Sequence, residues 1–275
     1  MEKGVRRVTV MGAVNVTPDS FSDGGMFLEP ERAIAHGREL LADGADVLDI
    51  GGESTRPGSE GVPADEELRR VAPVVDGLSD TGATISIDTS KAPVAEAALD
   101  GGAEIVNDVT ALRHDPELAA LCAERGCGVV LMHMLGTPRT MQQDPIYEDV
   151  VDEVKAFLAE RIEFALSSGI ADDRIWVDPG IGFGKTVEHN LELLRRLGEL
   201  RDLGRPICVG TSRKSFIGKI TGRDVHERLG GTIASNVLAF ANGAEVLRVH
   251  DVREVREALV VTEAILGRVP AARRA

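Results

Sequence analysis

Residues 8–14, VTVMGAV, and the loop behind them, residues 15–25, NVTPDSFSDGG, begin the pattern that decides the fold. The first stretch is apolar without helical spacing, which is typical of a strand buried on both faces. The loop carries two carboxylates, four hydroxyl or amide side chains, a proline and a glycine pair, and such loops at strand ends often close over ligands. A solvated turn has a similar composition. The stretch predicts a strand–loop–helix unit, with ligand binding and a plain turn both open.

Seven further short apolar runs follow, each separated from the next by a longer helical pattern. Strands are predicted over residues 8–14, 46–50, 84–87, 104–106, 128–132, 174–177, 207–210 and 246–249. The clearest helix covers residues 148–168, because apolar residues recur every four positions and Gly169 follows as a C-terminal cap. Asp251 and Glu254 predict a capping box at the start of the last helix.

Eight strands and eight helices in 275 residues predict an α/β fold, a (β/α)8 TIM barrel formed by one domain over residues 1–275. An open doubly wound sheet would more often have five or six strands and a glycine-rich turn after the first, and that turn is missing. Residues 268–275 are expected to form a frayed, basic tail.

Charge limits the classes of partner. The chain has 31 basic and 45 acidic residues, for a net charge of −14. A surface this acidic repels nucleic acid and anionic membranes. Neither is therefore an expected partner. An anionic substrate must therefore be bound by a local cationic pocket.

The cysteines and the N-terminus indicate the compartment. The three cysteines form no C-x-x-C pair, which argues against a disulfide framework or a thiolate zinc site, and Cys208 is expected to be a small buried hydrophobe. Neither a signal-peptide apolar segment nor a membrane-spanning run is seen. The sequence therefore predicts a cytoplasmic protein.

Polar residues follow all eight predicted strands. In a barrel, these positions meet at the C-terminal rim, where the active sites of this fold lie. One polar residue at a strand end is commonly a helix cap, but eight that mix carboxylates, amides and cations favour a site. They are Asn15, residues 51–58 (GGESTRPG), Asp88, Asn107 with Asp108, His133, Asp178, residues 212–214 (SRK), and Arg248 with His250.

The rim residues suggest two kinds of ligand group. Asp88, Asn107 and Asp178 follow apolar strands, so they should be partly buried, and a flat heterocycle with adjacent N–H groups would satisfy such carboxylates. Lys214 would direct its charge at a ring oxygen or nitrogen. A second, cationic set could hold a phosphate or pyrophosphate, although each arginine alone could equally form a surface ion pair. The set comprises Arg56, Arg213, Arg248 and His250.

Several familiar motifs fail. Residues 180–186, GIGFGKT, resemble a phosphate loop, but the Walker spacing would require glycine where Pro179 stands. The chain has no H-E-x-x-H metal motif and no G-x-S-x-G nucleophile motif. His133 could be either a base or a hydrogen-bonded core histidine.

Seven motifs, in order along essentially the whole chain, resemble those of the dihydropteroate synthase family. They lie at residues 15–25, 49–58, 86–89, 131–134, 178–185, 212–214 and 248–251. Several are long, which makes the resemblance specific. It implies condensation of 6-hydroxymethyl-7,8-dihydropterin pyrophosphate with p-aminobenzoate to give 7,8-dihydropteroate and pyrophosphate, in folate biosynthesis. Composition and spacing alone indicate only a barrel with an anion and heterocycle site.

The resemblance also implies roles for individual residues of this chain. The pterin would be bound by Asp88, Asn107, Val109, Val130, Met132, Asp178, Phe183, Gly210 and Lys214. The pyrophosphate would be bound by Asn15, Thr55, Arg56, Arg248 and His250, with Mg²⁺ as cofactor and Asn15 as its ligand. The p-aminobenzoate would be bound by Phe21, Thr55, Pro57, Lys214 and Ser215, and loop closure would order Asp19 and Asp23. The implied catalytic residues are Asp88, Asp178, Lys214, Asn15, Arg248 and His250.

The implied mechanism is SN1-like. Mg²⁺ and cations would neutralise the departing pyrophosphate, and the arylamine would attack the resulting pterin cation without a covalent enzyme intermediate. The resemblance further suggests a homodimer through helices late in the chain. Because no insertion lies beside residues 55–57 or 212–216, sulfonamides are expected to compete with p-aminobenzoate.

Two alternatives remain. A methyltetrahydrofolate-binding methyltransferase domain would share the pterin-binding carboxylates. It would not require the pyrophosphate loop or the Ser-Arg-Lys rim, because it binds no pyrophosphate. A non-catalytic pterin-binding paralogue would be expected to lose Asn15, Arg56, Lys214 or His250, and all four are present. The intact motifs favour the synthase.

Overall fold

Eight parallel strands form the centre of the molecule. The structure is a computed structural model and describes residues 7–17, 29–55, 58–59, 61–137 and 139–267. The strands are β1 (Thr9–Asn15), β2 (Val47–Gly51), β3 (Thr84–Asp88), β4 (Ile105–Asp108), β5 (Gly128–Met132), β6 (Ile175–Asp178), β7 (Cys208–Val209) and β8 (Val246–Val249). All eight predicted strands are present, although β7 is only two residues long.

The strands close into a barrel. Their order in the sheet is β6-β5-β4-β3-β2-β1-β8-β7, and every pair is parallel. A bridge between Val177 and Ile207 joins the two ends, supported by the Val177 N–H, which donates to the Pro206 carbonyl at 3.0 Å. The prediction of a (β/α)8 barrel is confirmed.

The helices lie outside the strands. They are α1 (Glu29–Ala42), α2 (Ala64–Ser79), α3 (Ala92–Asp100), α4 (Leu118–Arg125), α5 (Val150–Ser167), α6 (Val187–Arg195), α7 (Ser215–Thr221), α8 (Leu229–Ala241) and α9 (Val252–Ile265). The described residues thus hold nine α-helices rather than the predicted eight, because two lie between β7 and β8. Gly222, at φ 70°, ends α7 in a left-handed cap and permits the break.

Helix capping confirms one expectation and corrects another. Asp149 caps α5 by accepting from the backbone N–H groups of Val151 and Asp152, and Gly169 follows this helix at φ 95°. The capping box predicted for Asp251 and Glu254 is wrong, because Asp251 makes no side-chain cap bond. Its carboxylate instead pairs with Arg213, a charged donor that competes better than a backbone amide.

Two apolar regions position the site. One lies between the sheet and the helices. The other fills the lower part of the barrel interior, where Met11, Val130 and Cys208 are almost completely buried beside Trp176. Cys208 is therefore the small buried hydrophobe that was predicted. Since this interior layer is packed with side chains, only the level above it, at the carboxyl ends of the strands, can receive a ligand.

Some predicted features lie outside the described residues. These are the loop residues Asp19, Phe21 and Asp23, the pair Arg56 and Pro57, and the tail at residues 268–275. Among the described residues, no helix combines the length and apolar character that crossing a bilayer requires.

Candidate active site

Five charged or amide side chains lie above the interior apolar layer and form what we call the polar layer: Asp49, Asp88, Asn107, Asp178 and Arg248. Asp88 and Asn107 are register partners on neighbouring strands, and hydrogen bonds across the barrel join Arg248 to Asp49 and Asp88 and join Asn107 to Asp49. Asp49, Asn107 and Asp178 are buried, and the side chain of Asp88 is 11% exposed. The expectation that these strand ends place buried polar groups at the barrel mouth agrees with this geometry.

Arg248 bridges two carboxylates of the polar layer. Its Nε donates to Oδ2 of Asp49 at 2.6 Å, and one Nη donates to Oδ2 of Asp88 at 2.9 Å. Asn107 donates to the same Asp49 oxygen at 3.1 Å. Burial alone would lower the pKa of Arg248, but the two carboxylates outweigh it and raise that pKa, so the guanidinium stays charged.

Burial displaces the pKa values of two carboxylates of the polar layer, those of Asp88 and Asp178, towards neutrality. Burial raises the pKa of Asp88 to about 7, although Arg248 opposes the shift. Burial also raises the pKa of Asp178 to about 6, and the Gly180 N–H, Lys214, Lys185 and Arg248 oppose it. Side chains whose pKa values are displaced towards the working pH are common at functional sites.

Lys214 faces the polar layer from the start of α7. Its Nζ lies 4.1 Å from the centroid of the Phe183 ring, a cation–π distance. Burial, with Arg248 nearby, lowers its pKa to about 8. Ser215 follows as the exposed first residue of α7. Gly210 is half-buried just after β7, and a Cβ added there would lie 3.8 Å from Cβ of Arg248. Met132, Val109 and Phe183 form a small apolar cluster together with Met134 and Met141.

The turn that begins at Asp178 brings Phe183 to the site. The Gly180 N–H donates to Oδ1 of Asp178 at 2.7 Å, and the Gly182 N–H donates to Oδ1 of Asn190 at 2.7 Å. Gly180 has φ 68°, and a Cβ there would lie 1.9 Å from the carbonyl oxygen of His133. The glycines that resemble a phosphate loop therefore allow this turn to pack closely against the end of β5.

His133 and Lys185 form a buried pair behind this turn. Nζ of Lys185 lies 2.9 Å from Nδ1 of His133 and donates to the Phe183 carbonyl at 2.9 Å. Burial and then Lys185 lower the pKa of His133 to about 2, so the ring is neutral and Nδ1 accepts. The geometry favours the core-histidine alternative over a general base.

The outer rim differs from the cationic cluster suggested by the sequence. His250 lies 3.4 Å from the amide nitrogen of Asn15 through Nε2 and 3.0 Å from the hydroxyl of Ser212 through Nδ1. Burial, with Arg248 beside it, lowers the pKa of His250 to about 3, so the ring is neutral. Arg213 turns away to Asp251, and Arg248 lies inside the polar layer. His250, Arg213 and Arg248 therefore lie at the same rim, but His250 is neutral and both arginines are paired with carboxylates.

A cavity of about 780 Å³ opens beside Asp88 and runs across the loops after β2 to β5. Thr55 and Val109 line it. Lys91 also lines it and forms ion pairs with Glu53 and the buried Glu67. This network holds the loop that carries Thr55 against α2 and α3.

Reasoning from sequence missed Asp49 and Lys185 as site residues, although both lie in stretches that were singled out. A signal for Asp49 was available, since it is the only charged residue within β2, whose sequence is VLDIG. Lys185 gave no signal beyond its place in the glycine-rich turn.

The chain is similar to known proteins over most of its length. Residues 11–250 match the family model described as "Pterin binding enzyme". A dihydropteroate synthase from Neisseria meningitidis serogroup C is 46% identical over 268 residues, which cover 96% of this chain and 95% of that protein. Similar solved structures include two of Xanthomonas albilineans dihydropteroate synthase. One, with 4-aminobenzoic acid, has a TM-score of 0.91 at 48% identity and covers 97% and 95% of the two chains. The other, with 7,8-dihydropteroate, has a TM-score of 0.88 at 46% identity and covers 97% and 96%.

Proposed function

This chain belongs to the dihydropteroate synthase family of pterin binding enzymes, and from that premise we propose how its barrel rim performs the reaction. The enzyme condenses 6-hydroxymethyl-7,8-dihydropterin pyrophosphate with p-aminobenzoate, giving 7,8-dihydropteroate and pyrophosphate in folate biosynthesis. One observation of the site carries the residue roles: a buried layer of carboxylate and amide groups lies directly below a lysine and a neutral histidine at the mouth of a barrel with a packed interior.

The polar layer would bind the pterin by its N–H groups. In the ionised form, the carboxylates of Asp88 and Asp178 are pure acceptors, matching the ring and exocyclic N–H donors of a pterin. Lys214 would donate to a ring oxygen or nitrogen, while Phe183, Met132 and Val109 would cover the ring faces. Asn107, whose nitrogen donates to Asp49, would accept from a ring N–H through its amide oxygen, and Gly210 leaves room next to Arg248. Val130 lies in the apolar layer beneath and would serve as the floor.

The leaving pyrophosphate would lie at the outer rim. Asn15 and Thr55 would contact its oxygens, with Arg248 supplying positive charge from below, and Arg56 keeps the role that the resemblance implies. Because His250 is neutral, its ring carries a single N–H: Nε2 accepts from the Asn15 amide, so that N–H lies at Nδ1, beside the Ser212 hydroxyl, and His250 would orient Asn15 toward the diphosphate. These contacts would position the diphosphate above the exocyclic carbon of the bound pterin.

Mg²⁺ is compatible with the residues at this rim. No group of three or more His, Cys, Asp or Glu side chains suited to a metal ion occurs in the described ranges. Asn15 faces His250 through its amide nitrogen, so its oxygen is the atom suited to a hard cation that is held mainly by phosphate oxygens. When bound, Mg²⁺ would neutralise charge on the departing pyrophosphate.

The chemistry would be dissociative. The ionised carboxylates of Asp88 and Asp178 would favour the cation that forms on the pterin as pyrophosphate leaves. Lys214 and Ser215, with Thr55, would orient p-aminobenzoate so that its arylamine attacks that carbon. Phe21 and Pro57 would complete the p-aminobenzoate pocket, and loop closure through Asp19 and Asp23 would keep water from the cation.

Pyrophosphate release tests the proposal. Purified protein with the pterin pyrophosphate and Mg²⁺ should release pyrophosphate faster when p-aminobenzoate is added, and dihydropteroate should form. Asp178→Asn should lower kcat/KM for the pterin pyrophosphate by about 100-fold or more, because an anchor carboxylate is lost. Asp173→Asn, at an exposed residue just before β6, is the matched control and should change it less than about twofold. Absence of turnover by the unaltered protein would refute the proposed function.

We also propose a homodimer formed by the late helices, with the enzyme acting in the cytoplasm. In support, α8 packs against both α7 and α9, and all three expose large apolar side chains, among them Ile220, Leu238, Val261 and Ile265. Sedimentation of the protein and of Leu238→Glu would test this, since a monomeric unaltered protein contradicts it.

A further inference from the structure

Asp49 lies at the centre of the polar layer but is sealed from solvent. Its exposure is 0%, and it does not line the cavity beside Asp88. Two donors from different strands converge on Oδ2: Nε of Arg248 at 2.6 Å and Nδ2 of Asn107 at 3.1 Å. Within the described part of the chain, the other oxygen, Oδ1, has no hydrogen-bond partner. Asp49 is therefore placed to act on a ligand only through its neighbours.

We propose that Asp49 is a positioning residue for the condensation: it holds the Arg248 guanidinium and the Asn107 amide in the orientations that receive the pterin. This inference rests on the proposed function of the site.

The first effect of Asp49 is on how Arg248 meets Asp88. An isolated arginine and carboxylate prefer a forked pair with two parallel N–H···O bonds. Here Asp49 takes Nε, so Arg248 reaches Asp88 through a single nitrogen, and that contact is made to Oδ2. The second oxygen of Asp88 is thereby not drawn into a fork with Arg248. Without Asp49, Arg248 could close on Asp88 and compete with the ring N–H donors.

The second effect is on the amide of Asn107. Because an ionised carboxylate only accepts, the amide nitrogen must face Asp49, and the flipped amide would set two oxygens against each other. The amide oxygen of Asn107 is consequently directed away from Asp49, as an acceptor, alongside the acceptors of Asp88 and Asp178. Asp49 thus selects a ring edge that presents donors.

A third effect distinguishes positioning from simple structural support. The groups that act on the charge of Asp88 are Arg248 from β8, Asp49 from β2, Glu67 from α2, Asp108 from β4 and Lys214 from α7. Asp49 raises the pKa of Asp88 by repulsion, so removing its charge should lower that pKa. Damage to packing alone would reduce activity without such a shift.

The test is Asp49→Asn, which keeps the size of the side chain and removes its charge. The expected result is a fall of about 10- to 100-fold in kcat/KM for the pterin pyrophosphate, typical of loss of a supporting partner. The KM for p-aminobenzoate should stay within about twofold. The acidic limb of the pH profile of kcat/KM should move to lower pH. The matched control is Asp46→Asn, which removes a carboxylate from the same segment where it pairs with Arg256 at the other end of the barrel.

Coupling to Arg248 provides a second measurement. If Asp49 acts through Arg248, then Asp49→Asn combined with Arg248→Lys should be little worse than Arg248→Lys alone, whereas independent effects would multiply. If Asp49→Asn fails to fold, Asp49→Glu, which keeps the charge but displaces it by one methylene, is used in its place, and the same fall in kcat/KM is expected. Kinetics within about twofold of the unaltered enzyme for either variant, or a fall in Asp49→Asn with an unmoved acidic limb, would overturn the inference; Asp49→Glu keeps the charge and is judged by kcat/KM alone. Inactive unaltered protein would instead refute the proposed function.

Discussion

Gly180→Ala should damage both stability and pterin binding, because at this position a side chain has no space. Gly180 has φ 68°, and an added Cβ would lie 1.9 Å from the carbonyl oxygen of His133 and 3.4 Å from Met132. The turn cannot move away freely, since the His133 N–H donates to the Asp178 carbonyl at 2.9 Å in the same contact. Gly204 provides the matched control: its φ is 67°, but nothing lies within 4 Å of an added Cβ.

The two substitutions separate backbone strain from collision. A left-handed conformation costs an L-residue about 1–2 kcal/mol, and replacing glycine by alanine returns about 0.4–1 kcal/mol through the unfolded state. Gly204→Ala should therefore lose roughly 1 kcal/mol. Gly180→Ala has the same strain, and adds about 1–3 kcal/mol for overpacking and about 1 kcal/mol for the disturbed hydrogen bond. Its total should be about 3–5 kcal/mol.

Urea unfolding of the two variants measures this difference directly. At roughly 2 °C per kcal/mol for a domain of this size, the melting temperatures should also differ by about 4–8 °C. Displacing the Gly180 N–H removes a bond that lowers the pKa of Asp178, so the KM for the pterin pyrophosphate should rise at neutral pH, while Gly204→Ala leaves it unchanged. Equal losses of stability in the two variants would refute the reasoning.

Three further predictions concern buried charges. Lys185→Met removes a positive charge that holds the pKa of Asp178 down to about 6, so that pKa should rise and the acidic limb of kcat/KM for the pterin pyrophosphate should move to higher pH. Superimposable profiles would contradict this. Asp178→Asn should stabilise the unliganded fold by up to about 3 kcal/mol above pH 6 and by little below pH 4, because burial raises the folded pKa above 3.8 and the ionised carboxylate opposes folding. Urea unfolding across this range measures the gain, and a gain independent of pH would count against the reasoning. Lys91→Met leaves Glu67 buried without its cation, so the free energy of unfolding should fall by about 3–5 kcal/mol, as measured by thermal unfolding. Adding Glu67→Gln should restore part of this loss. If the double variant is no more stable, the ion pair is not the cause.

The strand ends could be predicted because position along the chain determines them. Once eight parallel strands are recognised, Asp88, Asn107 and Asp178 must meet at one rim. Which side chains pair with each other depends instead on distances across the barrel, and these distances cannot be read from the sequence. Arg248 was expected at the pyrophosphate, whereas its closest contacts are two carboxylates reached across the barrel interior.

Two other differences have the same origin. Asp251 has the spacing of a helix cap, yet Arg213, distant in sequence, takes its carboxylate. Asp49 lies within an apolar strand. The hydrophobicity of the whole strand is little changed by one charged residue, so the pattern does not single out Asp49. Its importance becomes visible only when Asn107 and Arg248 are seen to converge on it.

The closure of the barrel has a consequence for ligand binding. Within the described residues, β6 and β7 are joined by one bridge, Val177 to Ile207, whereas the other neighbouring strands share longer ladders. Asp178 directly follows Val177 on the β6 side of this bridge, and Lys214 follows Ile207 in the chain on the β7 side. A pterin bound by both residues would link β6 to the segment after β7. Part of its binding energy would then stabilise the junction of the barrel that has the fewest backbone bridges. Slower amide hydrogen exchange at Val177, whose N–H donates to the Pro206 carbonyl across this junction, would reveal that effect when the pterin is present.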